Sequence, residues 1–519
     1  MDADQISLRG LAFWVRTHSA ALLVGALLLI GMAMRLSLLV QEPLHQDEAL
    51  YGFWGRLIGS GQDIQLTTVP VDKPPLVLYL IAGSQMLFGA SEYAIRLPAL
   101  AASILAIPLM YVLAESLYSD RIVSVLAAAV MAVSPYPVLM GATAFTDPVL
   151  VGWWLLSCWC SLRTRWACAG FALALAFASK QHAVALAPLV LGLGVLGYSV
   201  QQDRGRWYAA ATRFSVGLLL GLIPLFVWDA LRQAGGAVVG FWSKGVGSYG
   251  GLRLIRSPEL ATRSEDWLRL NGYVFAWPWF GLLVFLGVVI LLGLDVARRH
   301  KSKIALADIM LICFAVAYLL FHWLLAFPVW DRYLYPLVPV FGLLLGRSAA
   351  VLFRSLQKRA TRIKRSDVFG KAQLALYCLI LAVLLGGGLG AMLGRVPIGG
   401  DHGAYDGLVE VVAFLQTLPV GTVLYDRWLS WHYDFYLFGA YLYRAGFPDP
   451  EWFAEDAASF YENQRHILVV PSWESPNRLR RALFQHGLQL SPLMFAERPD
   501  GSTSFVVYEI GTGDDGLVR

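Results

Sequence analysis

The feature that most limits what this chain can fold into is a series of apolar stretches. Each is close to the roughly 20 residues a helix needs to cross a hydrocarbon core. They start at residues 19–40, end at residues 372–393, and number about eleven. Only 15% of the 519 residues are charged, against roughly 25% in a soluble protein. The stretches lack the two-residue alternation of a membrane β-barrel. The pattern predicts a polytopic α-helical membrane protein. Residues 19–40 are too long, and too poor in small residues at their end, for a cleaved signal, so they read as the first span.

Charge sets the orientation. Arg9 and Arg16 precede the first span, and Arg163, Arg298 and the basic segment 354–371 fall in alternate loops. The positive-inside rule then places the N-terminus in the cytoplasm. The net charge of +5 (41 Lys and Arg less 36 Asp and Glu) does not imply nucleic acid, because the basic residues are spread between spans. The five cysteines show no metal-binding spacing and read as small buried hydrophobes. From about residue 395 charges return. Segments 422–425, 466–470 and 504–510 read as strands, and 405–418 and 477–485 as amphipathic helices. The expected division is a membrane module over 1–395 and an external α/β domain over 396–519.

The mixed-charge clusters fall on the outer side. Asp47 and Glu48 follow the first span. A carboxylate held there could accept the proton of an attacking hydroxyl, with Glu48 orienting Asp47, holding a cation or capping the next helix. In the same loop Asp72 and Lys73 precede Pro74 and Pro75, then an apolar stretch, 76–88, that is short for a span and reads as an interfacial helix. Lys73 is a candidate phosphate ligand; the alternative is a lysine paired with Asp72. Arg96 and Arg332 stand at span mouths, where a guanidinium fork suits phosphate, and Arg332 also has Asp331 beside it. Asp147, in Thr146-Asp147-Pro148, could position these cations or simply start a helix. Lys180, His182, Tyr333 and the intramembrane His322 are further candidates. The carboxylates with His182 or His322 could bind a divalent metal, but their spacing does not establish one. Trp242, Tyr249 and nearby glycines could form a flap.

The ordered set of Asp47-Glu48, Asp72 to Pro75, Arg96-Leu97-Pro98, Thr146 to Pro148 and Arg332 to Pro336 resembles the GT-C glycosyltransferases. Within them it is similar to the bacterial branch related to protein O-mannosyltransferases and the lipid A aminoarabinose transferase. That resemblance implies inverting transfer of a sugar from a polyprenyl-phosphate donor to a lipid, glycan or protein acceptor at the external membrane surface. It implies Asp47 as base, Lys73, Arg96 and Arg332 as phosphate ligands, and Asp147 as a second acidic position. Asp72 stands where the lipid A branch tends to have Glu. Two alternatives remain open from the residues alone: a glycan polymerase or ligase with a diphosphate-linked donor, and a lipid or solute transporter.

Overall fold

Apolar content decides where the helices lie, and polar caps decide where they start. Ser91, Asp120 and Ser302 each accept backbone N–H groups of the turn that follows them, the usual way of satisfying donors that a helix start leaves open. The computed structural model describes residues 3–39, 43–199, 207–248, 253–275, 277–299, 302–363, 366–399, 402–460 and 464–512. The side chains of Arg9 and Arg16, and residues Tyr249 to Gly251, lie outside the described part.

The helices are α1 (Ala3–Leu38), α2 (Gln46–Gly59), α3 (Leu76–Phe88), α4 (Glu92–Tyr118), α5 (Arg121–Val133), α6 (Pro135–Gly141), α7 (Asp147–Leu162), α8 (Trp166–Ser179), α9 (Ala183–Ser199), α10 (Trp207–Ala234), α11 (Phe241–Ser248), α12 (Leu260–Asn271), α13 (Pro278–Arg299), α14 (Lys303–Leu324), α15 (Leu337–Ile363) and α16 (Ser366–Met392). Past them lie α17 (Leu408–Gln416), α18 (Ser430–Tyr436), α19 (Pro450–Phe460) and α20 (Asn477–Gln485), with strands β1 (Val423–Asp426), β2 (Tyr443–Gly446), β3 (His466–Pro471), β4 (Leu488–Glu497) and β5 (Thr503–Thr512).

Seven of these helices, α1 from Ser19 onward, α4, α10, α13, α14, α15 and α16, are long and apolar enough to cross a bilayer. The pair α5 and α6, bent by 48°, makes up to eight. The other three expected spans are present as shorter helices: α7, α8 and α9, of 16, 14 and 17 residues. The chain is a polytopic helical membrane protein. Stretch 76–88 is helical as expected. The expected flap differs: 241–248 is a helix, with Trp242 stacked on Phe177 at 5.8 Å. Cys158 and Cys160 are buried, whereas Cys168, Cys313 and Cys378 are exposed.

The chain divides into two units, residues 1–39 with 57–399 and residues 40–56 with 400–519. The sequence placed 40–56 in the membrane module; they group instead with the C-terminal domain, and the boundary falls at 399/400 rather than 395/396.

In the first unit small residues bring helices close. A Cβ added at Gly170 of α8 would collide with the backbone of α10 at Phe214, and one at Gly217 of α10 with the backbone of α8 at Ala167, the small-residue packing that membrane helices favour. The break between α5 and α6 has a specific support. Pro135 lacks the N–H that would reach Met131, and the bend withdraws the next donor from Ala132. Arg35 of α1, 0% exposed, donates instead to the carbonyls of Met131 at 2.8 Å and Ala132 at 2.9 Å, and its Nε donates to Ser103 Oγ at 2.9 Å. At membrane depth such carbonyls need an internal partner. A second buried group joins α4, α13, α14 and α15: Arg347 bonds Asp295 (2.6 Å) and Asp308 (3.2 Å), and Tyr118 Oη donates to Asp308 (2.8 Å).

The second unit is built on a five-stranded sheet in the order β2-β1-β3-β5-β4. Pairings β2–β1 and β1–β3 are parallel, and β3–β5 and β5–β4 antiparallel. Because β1 and β3 are buried on both faces, their side chains divide between two cores: Leu424, Ile467 and Val469 face α17 and α18, while Val423, Tyr425, Leu468 and Val470 face α19 and α20. This is why both strands read as continuous apolar runs. Strands β2 and β4, more exposed and irregular, carried no such signal.

Candidate functional site

In the first unit the structure gathers residues from loops that lie far apart in sequence. Pro75 precedes α3, and just ahead of it Lys73 Nζ donates to Asp72 Oδ2 at 2.5 Å. The pairing weighed as the alternative to phosphate binding is therefore present. Gln181, in the turn between α8 and α9, donates to the Asp72 carbonyl at 2.6 Å. This ties the Lys73 loop to the turn that carries Lys180 and His182.

Asp147 opens α7, whose N-cap residue Thr146 makes no side-chain cap. Both carboxylate oxygens accept from Lys180 Nζ, at 2.7 and 2.9 Å. Asp147 and Lys180 are each 2% exposed, so this is a buried ion pair. Burial pushes the Lys180 ammonium down to about 8 despite Asp147, and Arg332 and Lys73 act in the same direction. Three cations thus share one electrostatic neighbourhood. The Lys180 ammonium also lies over the Tyr333 ring at 4.8 Å.

His182 stacks on Tyr333 with ring centroids 4.6 Å apart, and His322 lies 5.8 Å from it. Burial, and then the charges of Lys180, His322, Lys73 and Arg332, hold the His182 imidazole well below its usual range, so it is neutral. Tyr318 Oη donates to the Tyr333 carbonyl at 2.8 Å. Arg332 is held between the rings of Phe145 (5.0 Å) and Trp330 (5.3 Å). The Asp331 carboxylate accepts backbone N–H groups of Arg332 (2.6 Å) and Gly399 (2.5 Å), fixing the turn that presents Arg332. Among the described residues no group of three or more His, Cys, Asp or Glu side chains is placed to hold a metal ion.

Beside this cluster lies an apolar cavity of about 730 Å³, lined by Gln181 and His182 and then by side chains such as Leu189, Trp242, Phe314 and Phe321. Its volume is in the range of small-molecule sites. Polar groups stand at one part of its wall and hydrocarbon over the rest. Arg96 has another setting: 2% exposed in the second turn of α4, it donates to the Leu39 carbonyl at 2.9 Å.

The acidic pair belongs to the second unit and has its own logic. His45 Nδ1 accepts the N–H of Asp47 (3.1 Å), and Glu48 Oε2 accepts the N–H of His45 (2.9 Å). This is a reciprocal cap on α2, of the capping-box type, with His45 in the usual Ser or Thr place. Glu48 is buried at 1% exposure, whereas Asp47 is half-buried. The two carboxylates differ in setting: Glu48 holds the helix start, while the cap takes only the backbone N–H of Asp47. In the same unit the His432 ring nitrogen lies 2.9 Å from the Leu44 carbonyl, and Arg56 donates to the Phe435 carbonyl at 2.6 Å, anchoring residues 43–56 to α18 from both ends.

Sequence reading missed Arg35, Arg232, Asp308 and Arg347, and mentioned Gln181 only in passing. Four of these are ionisable residues inside apolar helices, a signal that was available.

Comparison with known proteins agrees with this architecture. Residues 72–228 match the family model described as dolichyl-phosphate-mannose-protein mannosyltransferase. No curated protein sequence matches the chain significantly. Among solved structures, ArnT from Cupriavidus metallidurans bound to undecaprenyl phosphate aligns at 17% identity with a TM-score of 0.64, over 97% of this chain and 100% of that one. The same protein in the apo state aligns at 18% identity with a TM-score of 0.63, over 95% and 98%. In motif order, in the family model matched by residues 72–228 and in overall fold, this chain is similar to the GT-C glycosyltransferases.

Proposed function

We propose that the protein is an inverting membrane glycosyltransferase that takes its sugar from a polyprenyl-phosphate donor. One observation carries this reading: a buried cationic cluster adjoins an apolar cavity, the arrangement needed by a molecule with a phosphate head and a hydrocarbon tail. The match of residues 72–228 to the mannosyltransferase model, and the likeness to a structure bound to undecaprenyl phosphate, support the same donor class.

In this mechanism the acceptor hydroxyl oxygen attacks the anomeric carbon as the bond from that carbon to the phosphate oxygen breaks. The phosphate leaves with the bonding electrons, and its charge is stabilised by Lys73, Arg332 and Lys180. Asp47, assigned as base on the motif resemblance, takes the hydroxyl proton. His182, neutral and stacked on Tyr333, shapes the site without adding charge. The acceptor is a lipid, glycan or protein outside the membrane. The protein lies in the inner membrane, as the motif resemblance implies, with its N-terminus cytoplasmic and its C-terminal domain external, an orientation that rests on the basic residues of alternate loops.

The test is mass spectrometry of lipids co-purifying with the wild type, Lys73→Ala and Asp47→Asn, with turnover measured in parallel. Expected are a polyprenyl monophosphate, bare or sugar-bearing, depleted in Lys73→Ala but retained in Asp47→Asn, and no turnover in Asp47→Asn. A diphosphate-linked glycan in the wild type would refute the donor class. Normal activity in Asp47→Asn would refute the base.

A further inference from the structure

The loop that carries Lys73 is short of regular structure, so something else must fix where its ammonium points. Part of the answer is local. Asp63 Oδ1 accepts from the N–H and hydroxyl of Thr67 at 2.9 and 3.2 Å, and Oδ2 from those of Thr68 at 2.7 and 2.6 Å. Leu66 is turned to a φ of 55°, a left-handed conformation that a leucine adopts only when its surroundings impose it. Those surroundings include one guanidinium from a distant helix. Arg232, near the end of α10 and 1% exposed, donates through Nε to the Leu66 carbonyl at 2.7 Å and through Nη2 to the Val69 carbonyl at 2.9 Å.

The same side chain reaches the opposite way. Its Nη1 donates to the Val239 carbonyl at 3.3 Å and lies 3.7 Å from Asp229 Oδ1. That Asp229 oxygen accepts the N–H of Phe241, the first residue of α11, at 3.2 Å. Helix α11 supplies Trp242 and Val246 to the cavity wall. It also packs onto the Lys73 loop directly: a Cβ on Gly245 would lie 3.0 Å from the Asp72 carbonyl oxygen and 2.7 Å from Gln181 Nε2. One buried cation thus fastens the start of α11, a wall of the apolar cavity, to the loop that ends at Lys73.

We propose that Arg232 is a positioning residue for the donor site, acting through Lys73, so that the wall for the lipid tail and the ligand for the phosphate are held in register. The proposal rests on the donor reading above. A planar fork with five donors can span three carbonyls in two directions; a lysine ammonium, with one short-range centre, cannot. Arg232→Lys therefore keeps the charge and removes the span.

The experiment is a double-mutant cycle on the full-length protein in detergent, with binding of a short-chain polyprenyl phosphate as the readout. Four proteins are compared: wild type, Arg232→Lys, Lys73→Ala and the double variant. Losing hydrogen bonds from a charged donor weakens the interaction it organises by about 10-fold. Arg232→Lys is expected to weaken binding by about that factor in the wild-type background and less than about 2-fold when Lys73 is already alanine. Equal loss in both backgrounds would mean that Arg232 merely supports the fold, and would overturn the proposal. No weakening by Lys73→Ala alone would overturn the donor reading, and the positioning role with it. If Arg232→Lys does not yield folded protein, Gln181→Leu, which removes another outside hold on this loop at Asp72, is put through the same cycle. Coupling to Lys73 supports the proposal, and additivity overturns it.

Discussion

The buried pair of Asp147 and Lys180 allows a prediction with a built-in asymmetry. Removing one partner of a buried ion pair usually costs about 3–5 kcal/mol, because the other charge is left uncompensated. Lys180, however, is already pushed down to about 8. At pH 7.5 its proton can be released for under about 1 kcal/mol. In Asp147→Asn the lysine escapes the penalty by becoming neutral, so that variant should lose only about 1 kcal/mol. In Lys180→Met the buried Asp147 carboxylate is left without its partner, and the loss should reach about 3–5 kcal/mol. The double variant should recover most of it. The measurement is unfolding of the detergent-solubilised protein in increasing SDS at pH 7.5, followed by intrinsic fluorescence, for all four proteins. Lys180 contributes a further signature. Its folded value lies below its unfolded 10.5, so the unfolded chain binds more protons between about 8 and 10.5, and stability from this group rises with pH across that window. Lys180→Met should abolish that rise. Equal destabilisation by the two single variants, or strict additivity in the double, would refute the reasoning.

Two further outcomes are expected. Donor capture should be strongest below pH 8 and weaken as Lys180 loses its charge above it; Lys180→Arg, which stays charged, should flatten the dependence in a binding titration from pH 6.5 to 9.5. Arg35→Met should strand the Met131 and Ala132 carbonyls at the break between α5 and α6 and destabilise by about 2–5 kcal/mol, with Arg35→Lys recovering part of it in the same SDS assay; an unchanged midpoint in Arg35→Met would mean the break needs no such support.

What the sequence determined by itself is the class of fold and the location of the long apolar helices, whereas α11, α12, α18 and α19, shorter or more polar, carried no such mark. Partition into a bilayer is close to additive over neighbouring residues, so apolar length alone marks α1, α4 and α10, and even the shorter α7 to α9. The same locality made β1 and β3 readable, since strands buried on both faces are largely apolar, and β5 through its run from Phe505 to Tyr508. It also marked charges at span ends as candidates. Which of those charges meet was decided only by the tertiary structure. Asp147 and Lys180 are 33 positions apart and Gln181 and Asp72 are 109 apart, separations with no periodic trace. Glu48 became a helix cap because His45 happens to sit three residues before it, and Arg35 and Arg232 found their carbonyls only once a proline break and an irregular loop had left those carbonyls without helical partners. Hydropathy is a property of a segment, whereas satisfying a buried polar group is a property of whatever the fold brings to it.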